Sequence, residues 1–240
     1  MPKEPVVHFQ RVSLVYPNLV RALFDIELEI SAGEFCFLVG PTGCGKSSLL
    51  RCIYLAERPS SGRLRVLGKD ISHLPPSRVP SLRRKLGVVF QDFALLEFKT
   101  VSENAAFALQ VIGAPPEDIA RRVPLALRMV GLEHKSDMFP TELSGGEQQR
   151  TAIARAIINA PPILLCDEPT GNLDPDTSYE IVRLLTLINQ RGTTVIMATH
   201  DAAIVNTFKR RVVYIENGRI IWDRDRGEYQ PDDEKLRLLS

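Results

Sequence analysis

Gly40-Pro41-Thr42-Gly43-Cys44-Gly45-Lys46-Ser47 decides the fold of this 240-residue chain. The octapeptide satisfies the pattern G-x-x-x-x-G-K-[ST] at every defined position. Its flanks fit as well: Phe35-Cys36-Phe37-Leu38-Val39 reads as a buried strand, and Ser48-Leu49-Leu50-Arg51-Cys52-Ile53 as an amphipathic helix. Glycines at 40, 43 and 45 let the backbone turn its N–H groups inward as an anion nest, and the helix that follows adds the positive end of its dipole. Lys46 is then placed to reach the β and γ phosphates as a point charge, and the Ser47 hydroxyl to ligate Mg²⁺. The ligand class is a nucleoside triphosphate.

Composition narrows the partners. With 44% hydrophobic and 25% charged residues the chain is an ordinary soluble globular protein, long enough for one domain with a side lobe and a sizeable core. A net charge of +1, from scattered lysines and arginines, leaves no footprint for nucleic acid. No apolar run approaches the roughly 20 residues that span a bilayer, and Met1-Pro2-Lys3-Glu4-Pro5 is not followed by a signal-peptide core. No direct membrane insertion is expected, and the chain should stay in the cytosol. Cys36, Cys44, Cys52 and Cys166 form no C-x-x-C pair and have no matching histidines, so they are expected to be reduced and mostly buried. Cys44, in an electropositive loop at a helix start, is either a thiolate-prone sulfur or a tolerated residue at a free position of the motif.

Period-2 alternation at Val12, Leu14 and Tyr16, and again at Phe24, Ile26, Leu28 and Ile30, predicts an antiparallel opening before the turn Ser31-Ala32-Gly33. A strand is expected near Arg63–Val66, a helix over Val79–Lys85 and a strand over Leu86–Phe90. From Ser102 to about Arg155 the spacing turns helical, with breaks at Pro115-Pro116 and Pro140. Strands and helices then alternate: Ile163–Cys166, a helix from Pro175 to about Gln190, Thr194–Ala198, a helix after Asp201, and Arg211–Ile215. Such alternation implies a parallel sheet covered by helices.

Ile163-Leu164-Leu165-Cys166-Asp167-Glu168 delivers two adjacent carboxylates at a strand's C-terminal end, where ligands bind in open α/β sheets. Asp167 is placed to hold Mg²⁺, and Glu168 to polarise a water attacking the γ-phosphate. Leu143-Ser144-Gly145-Gly146-Glu147-Gln148-Gln149-Arg150 offers a second anion site: Ser144 caps a helix whose glycine-rich first turn exposes unpaired N–H groups.

That last string, with the phosphate loop, resembles the signature motif of ABC-type ATPases, and the resemblance covers roughly residues 6 to 220. It implies an α/β fold of the ABC P-loop NTPase kind, a mixed-sheet core with an antiparallel β subdomain and an α-helical subdomain. It also implies a single domain over 1–222, with a catalytic core at about 1–92 and 160–222, a helical lobe at about 93–159, and a tail over 223–240. The tail itself reads either as a short helix ending in Leu236, Leu238 and Leu239 or as disordered.

The same resemblance assigns roles that spacing alone does not. Tyr16 would stack on adenine, though taken alone it is more often a core or edge aromatic. Gln91 would link Mg²⁺ and the attacking water to the helical lobe, and Gly171-Asn172-Leu173-Asp174 would form a dimer-contact loop. His200, which alone reads as a capping residue, would sense the γ-phosphate. Nucleotide contacts are thus implied for Tyr16, Gly40 to Ser48, Ser144 to Glu147 and Asp174, catalysis for Glu168, His200 and Gln91, and Mg²⁺ ligation for Ser47, Gln91 and Asp167. Two anion sites in different lobes imply a homodimer that closes on ATP, each nucleotide shared between Lys46 of one copy and the Ser144 region of the other. Within the family, Leu82 to Asp92, then Leu95-Leu96, Thr100-Val101 and Glu103-Asn104, look like the ATPases of mechanotransmitting or lipoprotein-handling complexes, and Leu143 to Arg150, Asp167 to Asp174 and Met197 to Asp201 look most like the cell-division branch. Members of that branch act with an FtsX-like integral membrane subunit to regulate cell-wall hydrolysis, which would hold this chain peripherally on the cytoplasmic face of the inner membrane. A lipoprotein-releasing or macrolide-type exporter ATPase is the alternative. Phe93, Leu95, Leu96 and Phe98 are either the docking surface for the membrane partner or ordinary core.

Overall fold

The computed structural model describes residues 5–230. The chain opens with β1 (Pro5–Val15) and β2 (Arg21–Ser31), which pair antiparallel. β4 (Ser61–Val66) and the two-residue β5 (Lys69–Asp70) complete a four-stranded sheet in the order β2-β1-β4-β5. The expected antiparallel opening is present, and it begins earlier than the alternation at Val12 suggested.

The second sheet has six strands. β3 (Phe35–Val39), β6 (Leu86–Val89), β7 (Ile163–Asp167), β8 (Thr194–Ala198), β9 (Arg211–Glu216) and β10 (Arg219–Arg224) lie in the order β10-β9-β3-β8-β7-β6. From β9 to β6 all neighbours run parallel, and only the β9–β10 hairpin is antiparallel. β10 lay outside the sequence expectations; it carries regular structure past residue 222 to Arg224, and Tyr229 beyond it is buried. The readings made for Leu236, Leu238 and Leu239 lie outside the described residues.

β3 explains the layering. Its five residues are all buried, and because successive side chains leave a strand on opposite faces, they feed two cores. Phe35, Phe37 and Val39 join Leu164, Cys166, Val195 and Met197 in one core. Cys36 and Leu38 join Leu165, Ile196 and Ala198 in the other. Helix α1 (Lys46–Ile53) fills the second core between the two sheets, against β2, β7 and β8. α6 (Pro175–Gln190), which matches its expected span, lines the first core together with α3 (Val101–Val111), α4 (Pro116–Val130) and α5 (Gly145–Ile157). These last three pack on one another as the helical lobe. Two short helices complete the chain: α2 (Val79–Arg83) ahead of β6, and α7 (Ala202–Phe208) behind the Asp201 cap.

Parallel pairing has one functional consequence. Leu38 stands opposite Ala198, Asp167 opposite Ala198 and Val89 opposite Cys166, so β3, β6, β7 and β8 all end at one edge. The phosphate loop, Gln91, Glu168 and His200 follow those ends directly.

A buried amide ties the far edge. Asn189, near the end of α6, donates from Nδ2 to the carbonyls of Gly33, Glu34 and Thr193 at 3.0, 3.2 and 2.8 Å. It thereby staples α6 to the turn that launches β3. At roughly 1 kcal/mol per bond, plus the cost of orphaned carbonyls, Asn189→Ala should lower stability by about 2–4 kcal/mol. Urea unfolding of the monomer measures this, and an unchanged midpoint would show that the staple is dispensable.

Candidate functional site

The turn from β3 into α1 has no room for a side chain at Gly40 or Gly45. Gly40 has φ +145°, and a Cβ there would sit 2.0 Å from the Ile215 carbonyl oxygen. Gly45, at φ +113°, caps α1 and lies 2.7 Å, by the same measure, from the Ala22 carbonyl. Lys46, only 4% exposed, folds over this turn and donates from Nζ to the carbonyls of Gly40 (2.8 Å) and Pro41 (3.1 Å). Cys44 is buried within the loop, and burial pushes its thiol up, with Lys46 only partly opposing. Of the two readings for Cys44, the structure favours the inert residue. Burial acts on the other cysteines in the same direction, to about 12 for Cys52.

Ser47 donates from Oγ to Asp167 Oδ1 at 2.8 Å, so the two residues expected to share a cation meet across the α1–β7 contact. Both line a cavity of about 430 Å³ with Arg51, Gln91, Asp92 and Asn172. Burial raises the Asp167 carboxyl, while the Ser47 hydrogen bond pulls it back. Hydroxyl, carboxylate and carboxamide oxygens in one cavity suit a hard divalent cation such as Mg²⁺. Next along the chain, Glu168 takes left-handed backbone (φ +47°), pinned by its N–H donating to the Ala198 carbonyl at 3.0 Å. Its carboxylate then faces two nitrogen partners: Oε1 lies 3.7 Å from Lys46 Nζ and Oε2 2.9 Å from His200 Nδ1. Glu168 and His200 share a second cavity, of about 240 Å³, with Thr199 and Asp201.

Tyr16 stands at the end of the antiparallel sheet, and its hydroxyl hydrogen-bonds Ser48 Oγ at 2.9 Å. That bond fixes the ring beside the phosphate loop. Thr42 and Gly43 sit exposed at the loop's tip beside Pro41.

Ser144 caps α5 as expected. Its Oγ accepts from Glu147 N at 3.4 Å, and Glu147 Oε2 accepts in return from Ser144 N at 3.0 Å, a reciprocal capping box. Gly146 packs against α6, where a Cβ would come within 2.5 Å of Thr177 Cγ2. Asp174 caps α6, accepting from Thr177 N at 3.0 Å, and hydrogen bonding to the Thr177 side chain and then to its backbone lowers the carboxyl. Among the described residues no hydrogen bond or ion pair joins Ser144–Glu147 to the phosphate loop. The chain thus brings Lys46, Ser47, Asp167, Glu168, His200 and Gln91 to one edge, and leaves the capped glycines of α5 as a separate site.

Three residues that shape the site were not singled out for it in the sequence. Asn104, fully buried in α3, donates from Nδ2 to Leu96, Lys99 and Thr100 carbonyls and accepts from Leu96 N. Arg155, on α5, donates to the carbonyls of Ala94 (2.5 Å) and Phe93 (2.9 Å), both in left-handed backbone. Together they clamp the segment after Gln91. Each is a polar residue inside an apolar helical stripe, a signal that could have flagged it. The third is Lys135, whose ammonium lies 2.6 Å from Glu147 Oε1 and for which the sequence offers no comparable signal.

The clamped segment has two faces. Gln91 and Asp92 line the cavity holding Ser47 and Asp167, whereas Ala94 and Leu96 line an apolar groove of about 680 Å³ with Phe107, Val111 and Ile112. Of the four apolar residues considered for docking, Leu96 lies in this groove and Phe98 is 93% exposed, while Phe93 reaches toward Gly145.

A mononucleotide-type phosphate loop, a paired Ser–Asp, a flanked glutamate and a detached capped-glycine helix define an ATPase of the ABC type. Residues 23–171 match the family model described as "ABC transporter", and the chain belongs to that family. It is 52% identical over 224 residues to the "Cell division ATP-binding protein FtsE" of Bacillus subtilis (strain 168), covering 93% of this chain and 98% of that one. Among solved structures it superposes on an ATP-binding cassette dimer in a post-hydrolysis state bound to ADP and Pi (TM-score 0.84, 34% identity, 93% of this chain and 100% of that one). It also superposes on cbiO1 of Clostridium perfringens, part of the ABC transporter complex cbiONQ (TM-score 0.88, 32% identity, 99% of this chain and 95% of that one).

If Arg155 clamps the segment, Arg155→Ala should speed amide exchange across residues 92–97 by about tenfold and leave β7 protected. Unaltered protection over 92–97 would assign the ordering to Asn104 alone.

Proposed function

We propose that this chain is the ATP-hydrolysing subunit of a cell-division membrane complex, working as two copies that close on ATP and open after hydrolysis. The observation that carries the chemistry is Glu168, held between Lys46 and His200 beside the Ser47–Asp167 pair. The near full-length likeness to FtsE supports the setting.

In this reading the loop from Gly40 to Ser48 cradles the triphosphate with its backbone N–H groups, and Lys46 exchanges its carbonyl partners for the β and γ phosphates. Ser47, Asp167 and Gln91 would hold Mg²⁺, which when bound supplies charge neutralisation at the phosphates. Glu168 accepts a hydrogen bond from the attacking water and aims it along the line of displacement. His200 contacts the γ-phosphate and, through its bond to Glu168, keeps that carboxylate oriented. Tyr16 stacks on the adenine, its ring held by Ser48. The second copy supplies Ser144, Gly145, Gly146 and Glu147, with Asp174 beside them at the dimer face, so each nucleotide is enclosed by two chains.

Among the described residues no helix is long and apolar enough to cross a membrane. In this reading coupling runs through an integral membrane subunit of the FtsX kind, whose cytosolic helix would seat in the groove formed by Leu96, Phe107, Val111 and Ile112. That subunit keeps the ATPase at the cytoplasmic face of the inner membrane and passes each closure to cell-wall hydrolases. The catalytic core at about 1–92 and 160–222 and the helical lobe at about 93–159 serve as the two halves of this motion.

Glu168→Gln should keep ATP affinity, slow turnover at least about a hundredfold and accumulate an ATP-bound dimer; Lys46→Ala should lose ATP binding itself. Chromatography of the Glu168→Gln protein with ATP that shows monomer alone would overturn the two-copy reading.

A further inference from the structure

Glu147 presents an electrostatic difficulty. It occupies the third position of α5, the turn whose free N–H groups would face a triphosphate, and a carboxylate there repels that ligand as surely as the helix dipole attracts it. Its backbone role is already filled, since Oε2 accepts the Ser144 N–H and its own N–H is bonded to Ser144 Oγ. The remaining oxygen, Oε1, is taken by Lys135 at 2.6 Å. Lys135 ends a single helical turn, Glu133–Lys135, that leads out of the α4 end of the lobe. Its backbone is fixed at both sides, its N–H donating to the Leu132 carbonyl and its carbonyl accepting from Met138 N, each at 3.1 Å. The pair is only about a quarter exposed on either side chain, so solvent screens it incompletely.

We infer that Lys135 is a positioning residue of the shared nucleotide site: it cancels the Glu147 charge and holds that carboxylate in the capping box, so that the N-terminus of α5 meets the second copy's ATP as a net attractive surface. This deepens the two-copy reading and rests on it. Lys135 need not touch the nucleotide. It acts through Glu147, and its effect should be confined to the step in which a second chain closes on a nucleotide already bound. Hydrogen bonding to Lys135 holds the Glu147 carboxyl below its usual range, so at neutral pH the carboxylate stays charged and the need for a counter-charge persists.

The test is a double-mutant cycle in full-length Glu168→Gln protein, reading ATP-dependent dimerisation by light scattering and ATP affinity of the dilute monomer by fluorescence titration. Lys135→Ala should raise the ATP concentration for half-dimerisation about five- to tenfold, the size of one uncompensated charge in a partly screened site. Monomer affinity should stay the same, because that measurement involves the chain's own phosphate loop. In a Glu147→Gln background the same lysine change should shift dimerisation less than about twofold, since a neutral carboxamide needs no counter-charge. A lysine that merely supports the fold would behave otherwise: its loss would lower the thermal midpoint and weaken dimerisation equally in both backgrounds. Parent-like dimerisation of Lys135→Ala, or a loss that persists undiminished in Glu147→Gln, overturns the inference while the two-copy reading stands. If the Glu168→Gln parent itself remains monomeric with ATP, the two-copy reading fails and takes the inference with it.

Discussion

Six residues must carry the chain from a fully buried strand into a helix that fills the space between two sheets, and the turn they make has no room for a Cβ at Gly40. The Ile215 carbonyl closes that space from one side. The β9–β10 hairpin turn holds the loop further along, where Gly218 donates to the Cys44 carbonyl at 3.0 Å and accepts from Phe24 N at 2.8 Å. The loop is therefore not a free strand–helix linker. It is braced by both sheets. Lys46 occupies the centre of this brace with its charge on two carbonyls, and the rest of the site is placed relative to it.

The sequence revealed most of what local chemistry controls. The span of α6 is legible because Asp174 caps it and a proline opens it, and β7 and β8 because short apolar runs flanked by turn residues admit little else. What stayed hidden depends on the third dimension. β10 has exposed residues on one face and no strong periodic signature, so it becomes a strand through its pairing with β9. The early start of β1 reflects pairing on both sides, with β2 and β4, which overrides weak alternation across Pro5–Arg11. Gln91, Glu168 and His200 could be named from motifs, whereas their convergence at one edge follows from strand order.

α5 links features that look separate along the chain. Its first turn carries the capped glycines, its middle the Arg150–Glu180 pair and its end the Arg155 grip on Phe93 and Ala94. The guanidinium of Arg155 bonds two neutral carbonyls, and burial pulls its pKa down. One helix therefore spans the capped glycines and the segment that borders both the Ser47–Asp167 cavity and the apolar groove.

The left-handed backbone at Glu168 has an evolutionary side. A non-glycine residue in that conformation costs on the order of 1 kcal/mol, and the neighbouring strand must supply the difference. Glycine at 168 would relieve the strain and yield a chain at least as easy to fold, lacking the carboxylate between Lys46 and His200. Selection on stability alone would thus erode this position. Under the catalytic role proposed for Glu168, the carboxylate at this position is what sets turnover against that gain in stability.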